Sequence, residues 1–549
     1  MRKLFFSALV AFAFAALTSA ETPRLVLFIA VDQLRGDMPI RYQERFGEGG
    51  FRYLMEHGYH YRNANYRHAN TFTAVGHATL ATGGNTPQHG IVGNEWYDRA
   101  KAASMNCVED LAHPLLGVEG AVAAGRSPRN LTSSTFGDEL VLASGGKSRV
   151  FGVSMKDRGA VILGGHLGKS YWYEPESGRF VTSSFYYERY PEWVDAWNGA
   201  KPADAWLGAS WSLLNPVDSY IYGAQDDRSE ERPYKAMGNT FPHPLPAEAG
   251  KDYYGGLRFT PMGDMLTLQF ARELLRAEQV GQRDATDILT ISLSATDYIG
   301  HAFGPNSLES EDNQLQLDRS LADFFAEVDR LVGLDRTLIV LSSDHGIDEI
   351  PEYTQHLGCD AGRHVPEEFI AAANGALKAR FGIADDLVLT FQNPSLYLDE
   401  ARAQALGLAL PEVERALADA MVALPGFDLA VTRSDLLEGR VPNTKVMDMV
   451  TRAFHPKRSG NVLVVQSPSW YLYPEAQKYA AMHGSPYSYD TYVPIFFAGP
   501  GIPPGATQRP VAPEDVASTI TAYLGIKPPS GNMGNPLLEV VGAGETGVR

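Results

Sequence analysis

Residues 25–32 read LVLFIAVD, seven apolar residues and then an aspartate, and this stretch decides the fold. Two more runs repeat its form. Ile288–Ser294 leads to Asp297, with His301 four residues on, and Thr337–Ser343 ends on Asp344 and His345. Each has the length and β-branched content of a buried strand. Unbroken apolar strands suit a parallel α/β sheet, whose strand C-termini gather along one edge and whose ligands bind in the crevice there. The pattern therefore predicts that three carboxylates and two imidazoles meet at one spot. Oxygen and nitrogen donors without thiolates point to zinc or a similar borderline divalent ion, and there are enough donors for two ions. A single Asp after a strand is a turn or cap residue, and a single His is a hydrogen-bonded structural group. Repetition at three strand ends is what favours metal.

At the other end of the argument, Met1–Ala20 carries Arg2 and Lys3, then the apolar Leu4–Leu17, then Thr18-Ser19-Ala20. This is the pattern of a secretory signal cleaved after Ala20, and it places the mature chain in a periplasm or outside the cell. No later stretch approaches the ~20 apolar residues of a membrane span. The only cysteines, Cys107 and Cys359, exclude a thiolate-rich zinc site and a disulfide scaffold; a single bridge and two free thiols both stay open. A net charge of −18 argues against a nucleic-acid surface. An anionic substrate needs a local positive site in this anionic body.

With 549 residues the chain exceeds a usual single core. It reads as one large domain over 21–549 with insertions at about 160–258 and 365–460, or as two domains. Gly49–Gly58 and Thr73–Thr82 read as helices, and Arg149–Met155 as a strand followed by Lys156-Asp157-Arg158. Five of the seven tryptophans (Trp172, Trp193, Trp197, Trp206, Trp211) fall in the first insertion, as an aromatic core rather than a substrate platform. Thr260-Pro261 opens a helix to about Glu278, and Glu309–Val332 is an amphipathic helix. The core is expected to return at Val462–Val465 and to continue through His483, the strand Val493–Ala498 and a helix at Ala512–Leu524.

Asp32-Gln33, Thr73-Ala74-Val75-Gly76-His77, His89-Gly90-Ile91, Asn94, Lys156-x-Arg158, Asp297-x-x-x-His301, Asp344-His345-Gly346 and His483-Gly484 follow in this order. Their order and spacing resemble the alkaline phosphatase superfamily, specifically secreted bacterial alkaline phosphatases with a threonine nucleophile, related to nucleotide pyrophosphatase/phosphodiesterases. The resemblance runs from about residue 24 to 525. It implies a mostly parallel α/β sheet with helices on both faces and two zinc ions, one on Asp297, His301 and His483 and the other on Asp32, Asp344 and His345. On sequence alone His483 is only a loop histidine. Two divalent ions about 4 Å apart can hold both the attacking and the leaving oxygen of an in-line displacement at phosphorus.

Thr73 falls where a helix begins, so the positive helix end can face a phosphoryl group. Coordination by the zinc on Asp32, Asp344 and His345 would lower its hydroxyl pKa and make it a nucleophile. Thr71 has the same chemistry two residues away, and the motif favours Thr73. Lys156, Arg158 and Asn94 supply donors for the terminal oxygens of a phosphate dianion. The resemblance implies that a Lys-x-Arg pair with an Asn marks phosphomonoesterases, whereas the diesterase relatives have an apolar pocket there. His77 and His89 read as supporting groups, and His356 and His364 as structural. Asp226–Glu231 offers a loop for a calcium ion but lacks EF-hand spacing and reads as a solvated acidic loop. The expected function is a zinc-dependent alkaline phosphatase acting on small phosphorylated substrates. A diesterase on the same fold is the first alternative, and a non-catalytic metal- or phosphate-binding protein the second. The sequence does not set the oligomeric state.

Overall fold

The computed structural model describes residues 22–118, 125–473 and 478–542; the signal segment read at residues 1–20 lies outside them. A ten-stranded sheet runs in the spatial order Gly505–Thr507, Gly58–Asn65, Tyr492–Ala498, Thr337–Ser342, Leu25–Val31, Asp287–Leu293, Val150–Ser154, Lys169–Glu174, Arg179–Ser183, Leu115–Leu116. The five strands from Thr337–Ser342 to Lys169–Glu174 are mutually parallel. The flanks are largely antiparallel, so the sheet is mixed, with a parallel centre.

Register explains where the site forms. Val31 pairs with Leu293, Ala30 with Ser342, and Ser292 with Ser154, so four strands end level. Asp32, Ser294, Ser343 and Met155 therefore leave the sheet along one edge. The strands are buried on both faces. Leu25, Leu27, Ile29 and Val31 point into one core, with Leu266, Phe270 and Leu274 of the helix Pro261–Ala277 and Phe324 and Val328 of Leu308–Leu331. Val26, Phe28 and Ala30 point into the other, with helices Thr73–Thr82, Asp157–Gly164 and Glu514–Tyr523. Each such side chain contributes roughly 1.5–3 kcal/mol by burial, which locks the register that aligns the strand ends.

Two expectations change. Val462–Gln466 does not return to this sheet; it pairs with Ser395–Leu398 and Phe427–Thr432 in a separate four-stranded antiparallel sheet with Val388–Gln392. That sheet has its own core around Phe369, Leu377, Leu417 and Met421. A short apolar run specifies burial but not which sheet receives it. The stretch from 160 to 258 first extends the main sheet through Lys169–Glu174 and Arg179–Ser183 before leaving it. Its aromatic residues pack as a core, with Phe180 stacked on Phe270 at 4.2 Å and Trp197 edge-on to it at 5.0 Å. Cys107 is buried, Cys359 exposed, and both are free.

Candidate active site

The level strand ends deliver Asp32, Asp297, Asp344 and Lys156 to one buried place. Gln33 ties them together. Its φ of 68° turns the chain sharply just after Asp32. Its backbone N–H then donates to Asp344 Oδ1 (3.0 Å) and its side-chain amide to Asp297 Oδ1 (2.9 Å). Lys156 Nζ lies 2.6 Å from Asp32 Oδ2 and 2.5 Å from Asp297 Oδ2. Burial opposes its charge, but Asp297 and Asp32 hold its pKa above the usual lysine value.

Thr73 is the first residue of its helix. A Cβ on Gly76 would fall 2.0 Å from the Asp344 carbonyl oxygen, so the glycine lets the helix start pack directly on the Asp344 backbone. Thr73 Oγ1 lies 3.5 Å from His345 Nε2. The neighbouring Thr71 hydroxyl donates instead to the Ser485 carbonyl at 2.9 Å. Asn94 Oδ1 accepts from the Ala74 N–H (2.9 Å), leaving the amide NH₂ of Asn94 beside the helix start. Thr73, Asn94, Lys156, Arg158, Asp297, His301 and His483 line a cleft of ≈ 590 Å³, with Tyr234, Arg258, Phe259 and Tyr298 on its wall.

Two groups of three donors are gathered tightly enough to hold a metal ion: Asp32, Asp344 and His345, and Asp297, His345 and His483. The second differs from the expected set in having His345 where His301 was expected. The His345 and His483 rings stack at 3.6 Å, which draws His345 between the two groups. His301 Nε2 is 3.2 Å from Asp297 Oδ1, with its ring 5.2 Å from that of His483.

The donors fit divalent ions in three ways. Each imidazole gives its Nδ1–H to a backbone carbonyl: His301 to Ala481 (2.7 Å), His345 to Gly346 (3.0 Å), and His483 to Thr71 (2.7 Å). Those bonds fix the tautomer and turn each Nε2 lone pair to the site. Burial, with His345 and His301 nearby, drives His483 well below the usual imidazole range; burial also lowers His345, against Asp344 and Asp297. Neutral imidazoles are the ligating form. Finally, both oxygens of Asp32 and Oδ2 of Asp344 are buried without an aligned hydrogen-bond donor among the described residues. Burial, then Asp297 and Asp344, push Asp32 well above the carboxylate range. For Asp297, burial is outweighed by His301 and Lys156, and for Asp344 by His345 and His77, so both are held below it. Three carboxylates this close call for more positive charge than one lysine.

Asp490 and Arg258 are supporting groups that the sequence does not single out, whereas His77 and His89 read as such. Asp490 accepts from Gly484 N–H (3.0 Å), Ser485 N–H (2.8 Å) and Ser485 Oγ (2.6 Å), closing the loop that presents His483. Arg258 donates to the Tyr298 hydroxyl at 3.0 Å. His77 joins the Thr73 carbonyl (2.8 Å) to Ser292 Oγ (2.8 Å) beneath the site. His89 accepts from the Ile91 N–H (3.1 Å), while His356 pairs with Glu230 and His364 meets the Pro425 carbonyl, away from the cleft. Arg258, at the end of an aromatic-rich insertion, and Tyr298, next to Asp297 in the helix Ala295–Phe303, carry no spacing signal of their own, which is why neither was legible.

The chain matches the family described as type I phosphodiesterase / nucleotide pyrophosphatase over residues 26–486. It is 35% identical to a protein of Myroides odoratus named calcium-transporting ATPase, covering 96% of this chain and 97% of that one. It is also 35% identical to alkaline phosphatase PafA of Elizabethkingia meningoseptica, covering 95% of each. A crystal structure of a PafA variant superposes with a TM-score of 0.89 at 33% identity, covering 95% of this chain and 100% of that one. In that variant a threonine, an asparagine, a lysine and an arginine are replaced, at the same intervals that separate Thr73, Asn94, Lys156 and Arg158 here.

Proposed function

This chain belongs to the type I phosphodiesterase/nucleotide pyrophosphatase family, and from that premise we propose that it is a secreted, zinc-dependent alkaline phosphatase hydrolysing phosphate monoesters through a phosphothreonine intermediate. The observation that carries the reading is the meeting on one sheet edge of a helix-start threonine, two acid–imidazole groups and a Lys–Arg pair. The relative named alkaline phosphatase, similar along almost the whole chain, supports it. So do the four residues replaced together in the PafA variant.

Phosphoryl transfer asks the protein mainly for positioning and charge stabilisation. Divalent ions held by Asp32, Asp344 and His345 and by Asp297, His483 and the adjacent His301 would supply Lewis acidity, easing deprotonation of a hydroxyl and balancing charge on the attacking and leaving oxygens. The imidazoles favour zinc over magnesium, which prefers six oxygens. Thr73 Oγ1 forms the new bond to phosphorus while the ester P–O bond breaks and its electron pair leaves with the alcohol oxygen. The helix start turns its positive end to the phosphoryl group. Asn94, held by Ala74, offers its NH₂ to one oxygen, and Arg158 and Lys156 meet the others. Water then attacks the phosphothreonine, and Thr73 leaves as the hydroxyl.

The family description keeps a phosphodiesterase in view as the second reading. Hydrolysis of an aryl phosphate is to be compared with that of a bis-aryl phosphate, with zinc quantified on the same sample. The monoester should be the better substrate. Arg158→Ala should lower monoester kcat/KM by roughly 10²–10³, because a charged contact that strengthens towards the transition state is lost, and should spare diester hydrolysis. A wild type that prefers diesters would hand the assignment to the second reading, and absence of turnover with zinc bound would leave a binding protein.

A further inference from the structure

Outside the catalytic donors lies a second buried set of unsatisfied ligand atoms. Glu309 is the second residue of the helix Leu308–Leu331 and fully buried; Glu231 is 4% exposed. Among the described residues, neither carboxylate has a hydrogen-bond donor in good alignment on either oxygen. His243, also fully buried, directs Nδ1 at the carbonyls of Met237 (3.3 Å) and Gly238 (3.1 Å), so that nitrogen carries the hydrogen. Its Nε2 lone pair has no hydrogen-bond partner and faces Glu309 Oε1 at 3.3 Å. Arg228 acts on Glu231 too; its two terminal nitrogens meet the Asn306 carbonyl (3.2 Å) and Glu349 (3.3 Å), while its buried Nε–H has no partner among the described residues. Burial first, then Glu309, pushes Glu231 up to about 10.

Four carboxylate oxygens and one imidazole nitrogen are thus buried without an aligned hydrogen-bond partner among the described residues, with Glu309 near enough to raise Glu231. Without an ion, a proton between His243 and Glu309 and a second one on Glu231 must neutralise the set beside Arg228. One doubly charged ion answers both carboxylates and the imidazole together. We propose that Glu231, Glu309 and Nε2 of His243 hold a divalent cation, with Asp226 as an outer carboxylate, at a site separate from the catalytic cleft.

Oxygen donors with one imidazole and no thiolate match a manganese- or zinc-class ion better than calcium, which takes oxygens alone. The donors are more widely spread than the two catalytic groups, which are the only ones gathered within 4.8 Å among the described residues, so binding must draw them together. Such an ion would pin the segment 226–243 to the start of the helix Leu308–Leu331. That segment also holds the helix Ala295–Phe303, which bears Asp297 and His301: Arg232 N–H donates to the Ala302 carbonyl (2.8 Å) and the His243 ring packs 5.2 Å from Phe303. Tyr234, in the same segment, forms part of the cleft wall.

The test compares the wild type with E231Q/E309Q and with H243Q, each equilibrated in turn with manganese, zinc or calcium and then freed of loose ions. The wild type should retain one more ion per chain than either variant in at least one of these arms, and that ion should raise its melting temperature but not theirs. The comparison is a difference, so it does not depend on how many ions the catalytic cleft holds. After chelation, E231Q/E309Q should be at least as stable as the wild type, because it no longer has two buried carboxyls to keep protonated or compensated. Equal ion content in all three proteins would overturn the proposal. So would failure of both variants to fold after chelation, since the carboxylates and imidazole would then serve the protein without a cation.

Discussion

Thr71 and Thr73 carry the same hydroxyl two residues apart, and what separates them is what each hydroxyl touches. Thr71 is committed to the Ser485 carbonyl, whereas Thr73 faces His345 and the cleft. Thr73→Ser should therefore stay active, and Thr73→Ala should lose roughly 10³-fold or more in kcat, leaving only electrostatic assistance. Phosphate trapped by acid quench should be found on residue 73. Label on Thr71 would show that the nucleophile had been misplaced. At this scale the candidate donors Asp32, Asp297, His301, Asp344 and His345 were legible because aspartates ending apolar runs leave a signature in a single sequence, whereas His483 read only as a loop histidine. Gln33 and Asp490 were not legible in their roles. Gln33 acts through a bend that brings together groups hundreds of residues apart, bonding both Asp297 and Asp344, and Asp490 closes the nearby His483 loop, whose place at the site only the fold sets.

The helix Thr73–Thr82 shows how an element can be set by one position. All ten of its residues are buried, so it has no polar face to tolerate movement. Gly76 lies against backbone, the Asp344 carbonyl, rather than a flexible side chain. Gly76→Ala should cost on the order of 1–3 kcal/mol as an overpacked contact. It should also lower kcat/KM by pushing the Thr73 end of the helix away from Asp344 and His345. Denaturant unfolding read beside steady-state kinetics checks both. A variant with wild-type values for both would mean that the helix can recede without disturbing the site. The longer elements were legible from period and caps: the helices over Phe51–His57, Pro261–Ala277 and Leu308–Leu331 begin and end within a few residues of expectation, whereas the many short strands and helices between them left no such signal. The exception, Val462–Gln466, is informative. Its five residues are as buried as those of the central strands, and only pairing partners distant in sequence decide that it closes the accessory sheet.

Across the whole molecule, a net charge of −18 is carried mainly on the surface, yet the core also holds carboxylates that the fold must keep dry. Glu514 is one that catalysis does not use. It starts the helix Glu514–Tyr523, which packs through Val516 and Ile520 in the same core as Ala74 and Ala78 of the Thr73 helix. Its side chain is fully buried, and among the described residues neither carboxylate oxygen has a hydrogen-bond partner in good alignment. Burial, against its own backbone N–H and Arg67, raises it from 4.5 to about 7. A carboxyl whose folded pKa lies above its unfolded one binds its proton more tightly in the native state. Its full contribution is therefore present below about pH 4.5 and is lost as pH rises through about 7. Glu514→Gln keeps the shape without the charge, so the variant should match the wild type at pH 4.5 and exceed it at pH 8, by on the order of 3 kcal/mol at most. Unfolding by denaturant at the two pH values, with zinc held constant, reads the difference. A gap that is the same at both would show that Glu514 is ionised throughout and that Arg67 compensates its charge, so that the cost of burying it is met within the fold.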